Sequence, residues 1–218
     1  MKKRKKIAVI LSGCGVYDGA EIHESVLTML AIEQQRASYV CFAPDIKQYH
    51  VVNHLTGDAM DESRNVLIES ARIARGNIRP LSDFDVADFD ALMFPGGFGA
   101  AKNLSSFAFD GSNCSVNDDV VRVLKAMVAL GKPVGALCIS PVILSKIFGA
   151  IAVTIGSDEK TATAIEAMGS KHVETTHGEV VVDEVHKFVT TPCYMLEATI
   201  SQIMLGASNV VREVLKLA

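Results

Sequence analysis

The sequence lacks tryptophan and Cys-x-x-Cys pairs, and its clustered basic residues are confined to the stretch from Lys2 to Lys6. Nucleic-acid binding depends on clustered lysine and arginine, and the formal net charge is −4. We therefore expect no nucleic-acid partner and interpret the basic cluster as a solvated flank.

The five cysteines are odd in number and have no zinc-ligand spacing. They predict reduced thiols in a cytoplasmic protein, without a disulfide framework or a bound metal.

Long apolar runs are also missing, although the first residues, MKKRKKIAVILSGC, resemble a lipoprotein signal. A secretory signal core needs about 7–15 apolar residues and a membrane helix about 20. The run at residues 7–11 (IAVIL) is shorter than either before Ser12 and Gly13 interrupt it. Such a run is typical of a buried parallel strand. We expect this strand to be retained and no membrane partner to bind.

Apolar strands alternate with helical patterns along the whole chain, which we interpret as one domain, residues 1–218. This order indicates an α/β fold: a doubly wound, flavodoxin-like domain with a mostly parallel sheet covered by helices on both faces. The patterns predict strands at 7–11, 39–43, 89–94, 132–137 and 151–155, a small β-hairpin at 179–190, and helices at 21–35, 62–75, 116–130, 139–148, 161–168 and 194–218. Ligands of such folds bind beyond the carboxyl ends of the strands.

Cys138 is the strongest candidate for chemistry, because it lies at an abrupt strand-to-helix junction in GALCISP. Pro141 fits the first turn of the following helix. A sulfur at a helix N-terminus is expected to have a lowered pKa, and a nucleophile elbow presents its side chain at such a corner. The alternative is a buried structural cysteine. Cys14, in the loop after the first strand, is a second candidate for a reactive thiol.

Two glycine-rich loops follow predicted strands. The first, SGCGVYDGAE, matches neither the dinucleotide nor the P-loop pattern, and it ends at Glu21. That residue either takes part in chemistry or complements the dipole of the next helix. The second loop, PGGFG, contains Gly96 and Gly97, whose backbone N–H groups suit an oxyanion site, or it forms only a tight turn. Asn103, just beyond this loop, is a candidate substrate contact.

These residues together resemble the DJ-1/PfpI superfamily, which has the class I glutamine amidotransferase-like fold. More narrowly, the chain resembles the enhancing lycopene biosynthesis proteins, also called isoprenoid biosynthesis glyoxalases and related to the vertebrate ES1 proteins. The resemblance spans essentially the whole chain and is carried by ILSGCGVYDGAEIHE, CFAPD, NHLTGD, RNVLIESARIARG, PGGFGAAKNLSSFA, CISP and VTTPCYML.

The resemblance implies a function and the residues that perform it. Cys138 matches the nucleophile, Glu21 the carboxylic acid that hydrogen-bonds its sulfur, and the backbone N–H groups of Gly97 and Ile139 the oxyanion hole. The implied activity is a glutathione-independent glyoxalase that converts glyoxal or methylglyoxal to glycolate or lactate without a cofactor. The implied assembly is a homodimer.

The chain departs from stronger glyoxalases of the superfamily in one respect: the residue after the cysteine is Ile139, where they have histidine. Loss of that acid–base partner predicts a slow enzyme. His177, in His177-Gly178-Glu179, is the alternative base and would favour an amidotransferase-like hydrolase. His23, two residues after Glu21, is expected at the pocket rim. A non-enzymatic redox sensor or chaperone-like protein, in which Cys138 oxidises, is the remaining alternative.

Overall fold

The computed structural model describes residues 4–218, so Lys2 and Lys3 of the predicted basic flank lie outside the described residues. Nine strands form in this range: β1 (Lys6–Ile10), β2 (Ser38–Ala43), β3 (Ile78–Pro80), β4 (Ala91–Phe94), β5 (Val134–Leu137), β6 (Ala152–Val153), β7 (Lys171–His172), β8 (Val181–Asp183) and β9 (Phe188–Thr191).

Eight α-helices accompany the strands within the described range: α1 (Ile22–Gln34), α2 (Val66–Ile73), α3 (Phe98–Lys102), α4 (Phe107–Asp110), α5 (Asp118–Ala129), α6 (Pro141–Phe148), α7 (Glu159–Ala167) and α8 (Ile200–Leu217). Short 3₁₀ turns fill several connections, including one at Cys193–Met195.

Seven of the strands form one sheet, in the order β3-β2-β1-β4-β5-β9-β8. All pairs in this sheet are parallel except β8 and β9, which pair antiparallel as the predicted hairpin. Strands added after β1 lie on both sides of it: β2 and β3 on one side, and β4 and β5 on the other, so the direction of strand addition changes between β1 and β4. This reversal is the topological switch point where doubly wound folds bind ligands.

The two faces of the sheet are buried under different helices. Alternate residues of β1 point to opposite faces, as the pleat requires: Ala8 and Ile10 pack in a core with α5 and α6, whereas Ile7 and Val9 pack in a core with α1 and α8. The predicted α/β fold is therefore confirmed, and the predicted strand at 7–11 is a central, buried strand of the sheet.

Two predicted elements differ from those observed. The strand predicted at 151–155 is only two residues long and pairs with β7 in a separate small sheet. The helix predicted from Tyr194 begins at Ile200. Its start is fixed by a capping box, in which Thr199 and Gln202 satisfy each other's backbone N–H groups. The preceding residues form the 3₁₀ turn after Pro192 instead.

Candidate functional site

Cys138 occupies a strained corner between β5 and α6. Its φ of +59° lies in the left-handed region, which is unfavourable for a residue with a Cβ. The corner is held from both sides, because the Cys138 N–H donates to the Thr191 carbonyl (3.0 Å) and the Ser140 hydroxyl donates to the Pro95 carbonyl (2.7 Å). Pro141 is the first residue of α6, as predicted. The geometry is that of a nucleophile elbow.

Backbone N–H groups surround the sulfur on two sides. Both Gly97 and Ile139, the predicted oxyanion-hole residues, hydrogen-bond the Cys138 sulfur through their backbone N–H groups. Gly97 has a φ of +95°, a conformation that glycine adopts without strain. Gly96 is required for a different reason: a Cβ at this position would lie 2.4 Å from the Cys138 Cβ and 2.9 Å from its sulfur. The loop therefore approaches the cysteine as closely as a backbone can.

The carboxyl group at the sulfur belongs to Glu24, so the prediction of Glu21 for this position is wrong. Glu24 is completely buried and hydrogen-bonds the Cys138 sulfur. Its Oε2 accepts from the Gly96 N–H (2.8 Å), and its Oε1 accepts from the Tyr194 N–H (3.2 Å). One carboxyl group thus ties together α1, the loop after β4, the elbow and the 3₁₀ turn after β9.

Glu21 has a structural role at the N-terminus of α1, as the alternative interpretation of this residue proposed. Its backbone is extended (φ −65°, ψ 124°), and its Oε2 accepts the N–H of Glu24 (2.6 Å). A side chain that turns back to cap its own helix cannot also reach the sulfur.

The sequence did contain the signal for Glu24: in AEIHES, the second glutamate follows the first by three residues, which places it in the first turn of the helix.

The charge state of the site also differs from the prediction. Burial and the nearby Glu24 carboxylate raise the pKa of the Cys138 thiol well above its ordinary value, and these effects exceed the lowering effect of the two N–H donors. Burial and the Glu21 carboxylate raise the pKa of Glu24 to about 7. The predicted low-pKa thiolate is therefore wrong. Two anions are unfavourable in one buried site, so the sulfur keeps its proton, and the Glu24 carboxyl group exchanges its own proton near neutral pH.

Asn103 is not free to contact a substrate, because both polar atoms of its amide are hydrogen-bonded inside the fold. The Oδ1 atom accepts from the Tyr49 N–H (2.9 Å), and Nδ2 donates to the carbonyls of Ser12 (2.8 Å) and Asp18 (2.9 Å). The side chain joins three loops at the carboxyl edge of the sheet. Asn103 therefore holds together the loops near the site and does not line the site itself.

His177 and Cys14 do not contribute to the Cys138 site. The His177 Nε2 is 2.9 Å from the Glu197 carbonyl oxygen, and the neighbouring Gly178 packs against Leu205 of α8. Burial and the Glu69 carboxylate raise the pKa of Cys14, which disfavours its reactive thiolate.

His23 is exposed to solvent and has a specific partner. Its Nδ1 is 2.8 Å from the hydroxyl oxygen of Tyr194. Tyr194 is also the residue whose backbone N–H donates to Glu24. The sequence analysis did not identify Tyr194, because a tyrosine after Pro192-Cys193 has no distinctive pattern.

Within the described residues, neither a metal-binding cluster nor a membrane-spanning helix is found. Between residues 4 and 218, no group of three or more His, Cys, Asp or Glu side chains is arranged to hold a metal ion. In the same range, every helix is too short or too polar to span a membrane.

Comparison with known proteins identifies the family. A protein from Homo sapiens, named glutamine amidotransferase-like class 1 domain-containing protein 3, mitochondrial, is 47% identical over 97% of this chain and 83% of its own length. An ES1 protein homolog from Rattus norvegicus is 45% identical over 99% of this chain and 85% of its own length. The chain belongs to this family of ES1, glutamine amidotransferase-like proteins. No protein-family model matches it.

Solved structures agree with the ES1 family fold. The crystal structure of an isoprenoid biosynthesis protein with an amidotransferase-like domain, from Ehrlichia chaffeensis, superposes with a TM-score of 0.90 and 35% identity, over 98% of this chain and all of that one. Glyoxalase III from Candida albicans superposes with a TM-score of 0.61 over 98% of this chain and 97% of that one. At 14% identity, the latter shows a shared fold alone.

The predicted cytoplasmic location is contradicted by the relatives. The human, rat and Danio rerio members that match the chain nearly end to end are all named mitochondrial. Reduced cysteines, on which the prediction rested, do not distinguish one reducing compartment from another.

Proposed function

We propose that the protein is a slow, cofactor-independent glyoxalase that converts glyoxal or methylglyoxal to glycolate or lactate. One observation carries this proposal: the Cys138 thiol lies on a strained elbow between two backbone N–H donors and the Glu24 carboxyl group, whose pKa is about 7. A general base with a pKa near the working pH combines the correct protonation state with sufficient basicity. The glyoxalase III fold match is consistent with the proposal.

The first step is addition of the thiol to the aldehyde carbon, C1. The Glu24 carboxylate takes the proton from the Cys138 sulfur as the C1–S bond forms, so the thiol needs no lowered pKa of its own. The N–H groups of Gly97 and Ile139 stabilise the negative charge that develops on the C1 oxygen. Glu24 then gives the proton to that oxygen, which completes a hemithioacetal and restores the carboxylate.

The second step moves hydrogen between the two substrate carbons. Glu24 takes the proton from C1, which gives an enediol, and returns it to C2, while the proton on the first oxygen is transferred to the second. The product is a 2-hydroxy thioester on Cys138. Water cleaves this thioester, which releases the 2-hydroxy acid and regenerates the thiol. No electrons leave the substrate, so the reaction needs no oxidant, reductant or cofactor.

The alternatives have less support. A redox sensor needs an exposed thiol with a lowered pKa, whereas Cys138 is 7% exposed and its pKa is raised. An amidotransferase-like hydrolase needs an imidazole at the nucleophile, and His177 binds the Glu197 carbonyl instead. An association with isoprenoid biosynthesis is part of the proposal only through the name of the Ehrlichia chaffeensis relative.

The test is turnover of glyoxal by purified protein, with formation of glycolate as the readout. We expect Cys138→Ala to abolish glycolate formation, because the adduct cannot form. The matched control is Cys14→Ala, which removes a half-buried thiol outside the site and should retain the wild-type rate. Equal rates in the wild type and Cys138→Ala would overturn the proposed chemistry.

A further inference from the structure

Tyr194 and His23 form a hydrogen-bonded pair next to the Cys138 site that the mechanism above does not use. The Tyr194 hydroxyl oxygen is 2.8 Å from His23 Nδ1, and the two rings are tilted, with centroids 5.9 Å apart. His23 is exposed to solvent, whereas Tyr194 is half-buried. The pair therefore connects solvent with the edge of the site.

One hydrogen bond and one chain connection place this pair near Glu24. The Tyr194 backbone N–H donates to Glu24 Oε1 (3.2 Å), so the tyrosine side chain leaves the main chain beside the buried carboxyl group. His23 directly precedes Glu24 in the first turn of α1. Burial raises the pKa of the Tyr194 hydroxyl, and the Glu21 and Glu24 carboxylates add to this increase.

We propose that the Tyr194 hydroxyl, oriented by His23, hydrogen-bonds the second carbonyl oxygen of a dicarbonyl substrate held on Cys138. This inference rests on the proposed function and identifies a further catalytic residue for it. A single hydroxyl has one proton to donate. Tyr194 can direct it to the substrate when His23 donates its own Nδ1–H to the tyrosine oxygen, which is the orientation that the 2.8 Å contact allows.

The pair also balances the protons of the enediol step. When Glu24 takes the proton from C1, the second substrate oxygen becomes negative and receives the Tyr194 proton. The His23 Nδ1 proton passes to the tyrosine oxygen as His23 Nε2 takes a proton from solvent, and the proton lost by the first substrate oxygen returns to solvent, so His23 stays neutral. The exposure of His23 makes this exchange feasible. The pair thus supplies the acid that the chain lacks at Ile139.

The test compares Tyr194→Phe with the wild type in glyoxal turnover. We expect kcat to fall about 10²-fold, because one donor to a developing negative charge is lost, while KM changes less. His23→Leu should lower kcat in the same direction, and His23→Gln should recover part of it, because an amide N–H can still donate to the Tyr194 oxygen. Tyr49→Phe is the matched control for loss of an exposed tyrosine hydroxyl. An unchanged kcat in Tyr194→Phe would overturn the inference.

A second measurement separates this inference from the proposed function, because it needs no turnover. Glyoxal that adds to Cys138 protects it from iodoacetamide, and intact mass measures the protected fraction. We expect Tyr194→Phe to need a several-fold higher glyoxal concentration for half protection, even if the wild type forms no glycolate. Equal protection in both proteins would overturn the inference. Absence of protection in the wild type would overturn the inference and the proposed function together.

Discussion

The proton shared by Cys138 and Glu24 determines the reactivity of this site at the scale of single residues. A thiol with a raised pKa is a poor nucleophile by itself. The adjacent carboxylate compensates, because it removes the proton at the moment of attack. The same carboxyl group is held by the N–H groups of Gly96 and Tyr194, so its position is fixed before substrate arrives.

Burial of Glu24 has a consequence for stability that depends on pH. Its pKa is about 7 in the folded protein and 4.5 in the reference state. Between these values the folded protein holds a proton that the unfolded chain has released, so stability falls as pH rises through this window and is constant above it. We expect the free energy of unfolding of Glu24→Gln, relative to the wild type, to rise by about 2.5 kcal/mol between pH 5 and pH 8.

Urea denaturation of both proteins at several pH values measures this difference. Glu33→Gln, at an exposed position of the same helix, serves as the control and should follow the pH dependence of the wild type. Parallel pH dependences for the wild type and Glu24→Gln would contradict the raised pKa of Glu24.

The site residues could be predicted from the sequence only in part, and α1 shows why. The loop glycines and the strand–Cys–helix junction have distinctive local patterns, so the sequence located Cys138 and Gly97, and the family resemblance added Ile139. The assignment of the carboxyl group failed because the buried face of α1 is polar: Glu24, Ser25 and Thr28 are buried, whereas the apolar Val26 and Leu30 are exposed. A hydrophobic pattern points to the wrong face of such a helix.

At the scale of elements, the loop after β4 is packed too closely against the elbow to accept a side chain at Gly96. Its backbone lies against the elbow, and Gly96 leaves no room for a side chain. The strand order explains this proximity, since β4 is the neighbour of both β1 and β5 in the sheet. The loops after three adjacent parallel strands therefore meet at one edge.

We expect Gly96→Ala to abolish glyoxal turnover and to destabilise the fold by about 1–3 kcal/mol, because the added methyl group overlaps the Cys138 Cβ and lies 2.7 Å from Glu24 Oε2. The matched control is Gly131→Ala, at a glycine with φ +60° and open space around its Cβ position. That variant should lose stability through backbone strain while it keeps turnover. Activity in Gly96→Ala equal to that of Gly131→Ala would contradict the close approach of this loop.

At the scale of the whole molecule, three exposed apolar side chains lie along one face of α1. Ile22, Val26 and Leu30 are spaced four residues apart and are 43%, 44% and 41% exposed. A twofold axis would place this stripe against its own copy, which is the self-complementary contact of a symmetric dimer. We propose that the homodimer implied by the family resemblance forms through this face.

We expect Val26→Asp to convert a dimer to a monomer of intact fold, because an aspartate at an already exposed position places charges opposite each other across the axis. Light scattering measures the mass, and circular dichroism checks the fold. Leu55→Asp, at a residue that is 97% exposed in the loop before α2, should remain dimeric. A wild-type protein that is monomeric at micromolar concentration would contradict the proposal.

The mostly parallel sheet and its helix layers could be predicted at this scale from the alternation of apolar runs alone, since parallel strands need crossover helices. The short sheet of β6 and β7 could not, because two-residue strands depend on tertiary contacts. The oligomeric state and the cellular location have no periodic pattern in the sequence. The predicted location rested on the cysteines alone, and it was wrong because reduced cysteines occur in more than one compartment.

Glyoxal turnover by Glu24→Gln and Glu21→Gln, measured side by side at neutral pH, tests the central claim most directly. The account predicts that Glu24→Gln loses at least about 10²-fold in kcat/KM, because an amide cannot accept the Cys138 proton. It predicts that Glu21→Gln stays within a few-fold of the wild type and loses only part of the capping stability of α1. A larger loss in Glu21→Gln than in Glu24→Gln would contradict it.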